Sequence, residues 1–346
     1  MSIFENVNFD DHESVHSFAD PQSGLKAIIA VHSTTLGPSA GGSRLWTYAS
    51  SEQAMTDVLR LSRGMSYKNA MAGLKLGGGK AVIMRPEGDF DRTALFAAFG
   101  RAVEAVGGKY YTAEDVGVSP EDMRVVRAQT KYVAGLNEGA SASGDPSPVT
   151  ADGVFRCIKL AADKKLGTSL KGMRISVQGL GHVGYDLCRR LDEAGAQLIV
   201  ADINTSLVEK AQSRFGAKTV TPDDIYAVEA DIYAPCALGA TLNPDTIEQL
   251  KVSIIAGAAN NQLSTSQMGQ SLQERGILYC PDYVVNGGGI INIAGEIEGN
   301  YNRDWVEGKL QGLEKTLSDI LDLASKTGRS TDVIADEMAQ KRIGRG

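Results

Sequence analysis

Apolar positions along this chain fall into short continuous runs separated by stretches at helical spacing, a pattern that predicts alternating strands and helices. Residues 1–20 are a polar lead-in, and residues 24–32 (GLKAIIAVH) form an apolar run of strand length. Residues 34–46 are rich in glycine and read as a loop that contains Arg44. Residues 51–62 place Ala54, Val58 and Leu61 at helical spacing behind a serine cap. A glycine-rich stretch leads into a strand at 81–84, an amphipathic helix at 91–106 and a strand at 109–112. A helix at 119–129 follows, with proline at its first position.

Residues 139–148 (GASASGDPSP) break every pattern and mark a domain boundary. After a helix at 150–165, strands at 173–178, 197–202, 231–235, 252–256 and 277–279 alternate with helices, one of them at 185–194. That alternation implies a parallel sheet with right-handed crossovers. The tail, 305–341, reads as helical and polar on one side. The fold class is α/β in two domains, 1–145 and 146 onward, as a chain of 346 residues leads one to expect.

An apolar share of 42% with 22% charge gives ample core for a globular protein. A net charge of -7 without a basic cluster argues against nucleic acid as a partner. Apolar runs such as 27–31 and 198–201 are too short for a bilayer, so no membrane partner is expected. The N-terminus is acidic and lacks the apolar core of a signal peptide. Cys157, Cys188, Cys236 and Cys280 are scattered without a CxxC pair, which fits free thiols in a reducing cytoplasm. His12 and His16 have the spacing of one helical face but no third ligand, so no metal is expected.

Candidate chemistry concentrates in residues 64–82 (GMSYKNAMAGLKLGGGKAV), where Lys68 and Lys80 lie in a run dominated by small, apolar and glycine residues. Gly77, Gly78 and Gly79 would let a backbone approach a ligand closely. An apolar setting lowers the pKa of an ammonium and suits it for proton transfer, whereas a solvated turn lysine would have no such role. Residues 110–117 (YYTAEDVG) offer Glu114 and Asp115, of which a strand can aim only one at a given cleft.

Gly179-Leu180-Gly181-His182-Val183-Gly184 is a GxGxxG placed directly between a strand and a helix, as a dinucleotide fingerprint requires. Asp202 ends the next strand, 23 residues after Gly179 (202 − 179), within reach of ribose hydroxyls. A carboxylate there accepts from the 2′-OH and repels a 2′-phosphate, which favours NAD over NADP. The segments 234–237 and 257–261, and the turn 286–289, each offer small residues or asparagine at strand ends.

Taken together, GGGK around Lys80, TAEDVG around Asp115, GLGHVG, APCALGA, IAGAANNQL and PDYVVNGGG resemble the leucine/phenylalanine/valine branch of the amino-acid dehydrogenases. Glutamate dehydrogenases are more distant relatives, and the resemblance covers nearly the whole chain. It implies reversible oxidative deamination of an L-amino acid to a 2-oxo acid and ammonium, with NAD accepting hydride. It implies that Lys68 binds the substrate carboxylate with help from Asn261. By the same pattern Lys80 is the acid/base that activates water, and Asp115 shuttles a proton to the amino group. Ala40, Gly41, Gly42, Ala113 and Ile291 would line the substrate pocket. Arg44, Thr150, the 179–184 turn, Asp202, Ile203, Cys236, Ala237, Ala259 and Asn260 would contact cofactor. The resemblance also implies a catalytic and oligomerisation domain over 1–145 and a Rossmann-type, doubly wound NAD domain over 146–325. A cleft would separate them, with the last helix, about 326–346, returning to the first. Homo-oligomers, often octamers, are the family habit.

Ala40 bears on the substrate. Glutamate-specific relatives carry a lysine at the matching place, so a methyl group here disfavours a side-chain carboxylate. The surroundings of Asp115 resemble the leucine type, while Ala40 leans toward phenylalanine. The expectation is a branched-chain substrate with phenylalanine as the alternative. A non-catalytic NAD-binding regulator, or a shikimate-type or 2-hydroxy-acid dehydrogenase, would share the nucleotide fold but has no need of this pair of lysines.

Overall fold

The computed structural model describes residues 3–136, 144–299 and 301–346. Of the breaker run at 139–148, residues 139–143 lie outside the described residues. The chain forms two compact units: Met1–Asp145 with Asn292–Trp305 and Ala339–Gly346, and Pro146–Ile291 with Val306–Met338.

The first unit contains β1 (Ser14–Asp20), β2 (Leu25–Ser33), β3 (Ser39–Trp46), α1 (Ser51–Met71), β4 (Gly77–Met84), α2 (Arg92–Ala105), β5 (Tyr110–Glu114) and α3 (Pro120–Arg127). Its sheet has the order β1-β2-β4-β3-β5. β2 runs antiparallel to β1 and β4, and β3 runs parallel to β4 and β5. Alternation along β2 and β4 divides the core between the two faces. Leu25, Ala27, Ile29, Val31, Ala81 and Ile83 pack with residues of α2 and α3, while Ile28, Ala30 and Val82 pack with Ala54, Val58 and Leu59 of α1.

Two strands lie where sequence pattern predicts none. β1 is a half-exposed edge strand, SVHSFAD, with no apolar alternation to reveal it, and it puts His16 on a strand rather than a helix. β3 falls in the expected glycine loop: glycine has poor strand propensity, yet the segment is paired on both edges. α1 also runs nine residues past its expected end, through Gly64 to Met71. The triple glycine is neither a turn nor a left-handed segment but the start of buried β4. A Cβ on Gly78 would stand 2.0 Å from Ser66 N, and one on Gly79 would stand 2.5 Å from Ser39 Oγ. Absent side chains here admit α1 and the neighbouring strand.

The second unit contains α4 (Ser147–Leu166), β6 (Arg174–Gln178), α5 (His182–Glu193), β7 (Gln197–Ala201), α6 (Thr205–Phe215), β8 (Lys218–Thr219), β9 (Ile232–Pro235), α7 (Pro244–Gln249), β10 (Ile254–Ile255), α8 (Gln267–Glu274), β11 (Leu278–Tyr279) and α9 (Asp282–Val285). Helices α10 (Gly288–Ile297), α11 (Arg303–Thr327) and α12 (Thr331–Arg342) follow, so the predicted helical tail is two helices broken at Gly328, which has φ +66°. The sheet is parallel throughout, with the order β11-β10-β9-β6-β7-β8. Counted from β6, this is the doubly wound order 3-2-1-4-5-6, whose direction reverses between β6 and β9.

The packing of α1 on β4 yields a paired test. Gly78→Ala collides with helix backbone and should lower Tm by about 6–12 °C. Gly64→Ala meets nothing within 4 Å on the exposed side of the same helix, so Tm should hold or rise. Thermal melts of both variants check the assignment.

Candidate active site

In the first unit the chemistry begins with a buried lysine. Along β4, Gly78, Lys80 and Val82 share the face toward α1, because side chains alternate and Gly78 abuts Ser66. Lys80 is 6% exposed, and its Nζ lies 2.6 Å from Asp115 Oδ2, just past the end of β5. Burial pushes the ammonium below the ordinary lysine range, with Asp115 pulling the other way. Burial alone would raise the Asp115 carboxyl, but the charges of Lys80 and Arg44 outweigh it and hold the group below the usual carboxylate range. Of the adjacent carboxylates, Asp115 therefore engages the lysine, while Glu114 is exposed. Lys75, between the two candidate lysines, is exposed as well.

Arg44 lies on β3, in register with Val82. It donates from Nε to Asp115 Oδ2 at 3.3 Å and from Nη1 to Asp57 Oδ2 at 3.1 Å. The side chain expected against cofactor thus bridges two carboxylates of its own unit. Gly41 and Gly42 make room for this arrangement. A Cβ on Gly42 would lie 2.8 Å from Asp115 Cβ, and one on Gly41 would lie 2.0 Å from Gly79 O. Ala40 and Ala113 are both buried in the same strands. Tyr110 supports Gly41 from below, its hydroxyl donating to the carbonyl at 2.7 Å.

Lys68 lies in the last turns of α1, half-buried. Its turn is fixed from two sides. Asn69 is fully buried and donates from Nδ2 to Gly77 O at 2.6 Å and Ala40 O at 3.4 Å. The chain's end supplies the other side: Gln340 donates to Tyr67 Oη at 3.1 Å, and Arg342 donates to Ala70 O at 2.9 Å and Met71 O at 3.2 Å. A cation there satisfies the carbonyls that a helix terminus leaves free. Asp57 and Asn69 were not visible as functional from sequence, although Asp57 precedes Lys68 by 11 residues (68 − 57), three turns on one face.

In the second unit the GxGxxG turn follows β6, and its glycines have three separate tasks. Gly179 has φ +98°, and a Cβ there would touch Ala237 and Cys236 at 2.8 Å. A Cβ on Gly184 would lie 1.9 Å from Gly179 O, so this glycine lets α5 pack on the turn. A Cβ on Gly181, at the helix cap, would meet nothing within 4 Å, which leaves the space a pyrophosphate needs at a helix N-terminus. His182 and Val183 open α5, His182 exposed and Leu180 buried. The Asp202 carboxylate accepts from Leu180 N at 2.6 Å and Asn204 N at 2.7 Å, which fixes it at the end of β7. Next to it Ile203 is 91% exposed.

The turn after β9 carries Cys236 and Ala237 across from Gly179, at the sheet's reversal. The segment after β10 is built on buried amides. Gln262 donates from Nε2 to Gly257 O and Ala259 O, each at 3.0 Å. Asn286 donates to Asn260 Oδ1 at 2.8 Å. Asn261 is exposed with φ +51°, and Ala240, at φ +56°, donates to its carbonyl at 2.7 Å. Two non-glycine residues in the left-handed region within one bonded pair are an unusual concentration of strain. Thr150, in the first turn of α4, donates to Pro146 O at 2.9 Å, and Ile291 is fully buried in α10. A polar residue alone in an apolar segment, Asn286 after Val284 and Val285, was the signal available for these supports.

Comparison with known proteins agrees with this geometry. Residues 12–132 match the family model described as Glu/Leu/Phe/Val dehydrogenase, dimerisation domain, and residues 200–343 match that of glutamate/leucine/phenylalanine/valine dehydrogenase. The chain is 51% identical to a leucine dehydrogenase of Bacillus subtilis, with 100% of this chain and 95% of that protein covered. It is 49% identical to a leucine dehydrogenase of Thermoactinomyces intermedius, covering 99% and 94%. The crystal structure of L-tryptophan dehydrogenase from Nostoc punctiforme matches with a TM-score of 0.86 at 42% identity, covering 99% of this chain and 98% of that one.

The glycine tasks separate cleanly by substitution. Gly181→Ala should leave Tm unchanged and weaken dinucleotide binding by about tenfold or more, because the added methyl occupies the phosphate approach. Gly184→Ala should lower Tm by several degrees, about 3 °C per kcal/mol of overpacking. Calorimetric titration with NAD and thermal melts read the two effects.

Proposed function

The chain belongs to the glutamate/leucine/phenylalanine/valine dehydrogenase family, and from that premise we propose that it performs the NAD-dependent, reversible oxidative deamination of branched-chain L-amino acids, leucine foremost. The products are the 2-oxo acid and ammonium. The observation that carries the mechanism is the buried Lys80 ammonium 2.6 Å from Asp115. Bound NAD supplies the acceptor for the hydride that leaves the substrate Cα. Lys68 holds the substrate carboxylate, with Asn261 assisting. Asp115 takes a proton from the substrate amino group and returns it to the departing ammonia. Neutral Lys80 then removes a proton from the water that attacks the iminium carbon, and the resulting ammonium polarises the product carbonyl. Exclusion of water before the hydride leaves protects the imine from early hydrolysis.

Asp202 supports NAD over NADP, since a carboxylate held by two backbone N–H groups at the strand end repels a 2′-phosphate. Catalysis and oligomerisation fall in this reading to Met1–Asp145 with Asn292–Trp305 and Ala339–Gly346, and cofactor binding to Pro146–Ile291 with Val306–Met338. The enzyme is taken to be a cytoplasmic homo-octamer; the match of the first unit to a dimerisation-domain model supports its self-association. Ala40, small and buried, keeps phenylalanine as the second substrate candidate.

Initial rates of NADH production at alkaline pH across leucine, valine, isoleucine, phenylalanine, tryptophan and glutamate test the assignment. The highest kcat/KM should fall on a branched-chain substrate; preference for phenylalanine would give Ala40 control of the pocket, and no turnover would sink the proposal. Because the neutral amine is the base and burial depresses its pKa, kcat should rise with pH through a limb below the ordinary lysine value of about 10.4. Lys80→Ala should reduce deamination by about 10³-fold or more while NAD binding survives.

A further inference from the structure

The first unit contains a second carboxylate that the reaction as described does not use. Asp57 lies on α1 with its side chain 16% exposed, and three donors converge on it. Tyr48 Oη donates to Oδ2 at 2.8 Å, Arg44 Nη1 donates to the same oxygen at 3.1 Å, and Arg60 Nη2 donates to Oδ1 at 3.1 Å. Burial and the bond to Asp57 push the Tyr48 phenol up, so it stays a donor. Arg44 in turn meets Asp115 only through Nε, at 3.3 Å, a single long contact that leaves the guanidinium plane free to rotate about it. Its second anchor is Asp57.

We infer that Asp57 is a positioning residue: held by Tyr48, it fixes the Arg44 guanidinium against Asp115 and completes a chain of alternating charge that ends at Lys80. The inference rests on the acid–base roles proposed above for Lys80 and Asp115. The charged and titratable groups facing Asp115 are Lys80 from β4, Arg44 from β3, the Tyr110 phenol from β5 and the Tyr48 phenol; those facing Asp57 are Arg44, Arg60, Tyr48 and Lys80. Lys80, Asp115, Arg44 and Asp57 sum to no net charge. Removal of the Asp57 charge leaves one excess cation beside Lys80, which favours the neutral amine. Since neutral Lys80 is the base, the ascending limb of kcat moves to lower pH. At the same time a loosened Arg44 misplaces Asp115 and lowers the plateau.

The test is Asp57→Asn and Asp57→Glu beside the native enzyme, assayed at saturating leucine and NAD across pH. For Asp57→Asn the limb should shift acidward by about half a pH unit, with kcat down about tenfold and the leucine KM within about twofold. Asp57→Glu, which keeps the charge, should return the limb toward its native position. A folded Asp57→Asn enzyme with an unmoved limb overturns the inference, since a merely structural carboxylate would alter Tm and leave the pH profile in place. If that variant fails to fold, Tyr48→Phe gives the reading: kcat should fall about fivefold at unchanged leucine KM, and native kcat overturns the inference. Lys80→Ala is run alongside. Turnover in that variant defeats the underlying acid–base assignment, whereas a dead Lys80→Ala with an unmoved Asp57→Asn limb defeats only the positioning role.

Discussion

An ammonium buried inside a protein must be answered by a carboxylate, and in this chain the answer to Lys80 organises the first unit. Stripping a charge of its water costs several kcal/mol, and a buried pair with one partner removed loses about 3–5 kcal/mol. Asp115 meets Lys80 at 2.6 Å, Arg44 meets Asp115, and Asp57 meets Arg44. The same contacts that make the burial tolerable leave a depressed lysine within proton-transfer distance of an ionised carboxylate. Stability and acid–base chemistry are therefore two readings of one set of distances.

The close approach of α1 to β4 makes that set possible. Gly78 removes the side chain that would hold the helix away, Gly77 and Gly79 clear the neighbouring loop and strands, and Gly42 removes the side chain that would displace Asp115. α1 then spans the site, carrying Asp57 on an early turn and Lys68 about 16 Å further along its axis. Asn69 ties the far end to β3 and β4, and Gln340 and Arg342 tie it to the last residues of the chain. A rigid rod held at both ends fixes the two groups relative to the strand that bears Lys80.

The second unit solves a different problem, which is to leave space rather than fill it. At the sheet's reversal between β6 and β9, one glycine turns the chain, one lets the helix pack and one stays open. The loop after β10 carries Asn260 and Asn261 on a frame of buried amides, with Asn261 and Ala240 held in the left-handed region. Such strain persists only where surrounding bonds over-determine it, and in the second unit it falls in the strand-end loops on the ligand edge of the sheet.

Much of this was legible in the sequence because it is local. The GxGxxG between strand and helix, Asp202 at its proper distance, the strand–helix alternation of the second half and the residues GGGK and TAEDVG all carry their meaning within a few positions of themselves. The strands β1 and β3 were not legible, since a half-exposed edge strand and a glycine-rich central one lack the period-2 apolar signal; only pairing with β2, β4 and β5 defines them. The glycines before Lys80 were visible as glycines, but their purpose was not, because Ser66 and Tyr110 reach them only in the folded sheet. Asp57 looked like an ordinary polar residue of a helix, and Asn69 lay beyond that helix's expected end. The sequence by itself determined the chemistry available, a tunable lysine, a carboxylate and a dinucleotide turn, because residue type and short spacing decide those. Which carboxylate meets the lysine, and what holds it there, was decided by tertiary structure, because β3, β4, β5 and α1 are brought together only by burial of their shared core.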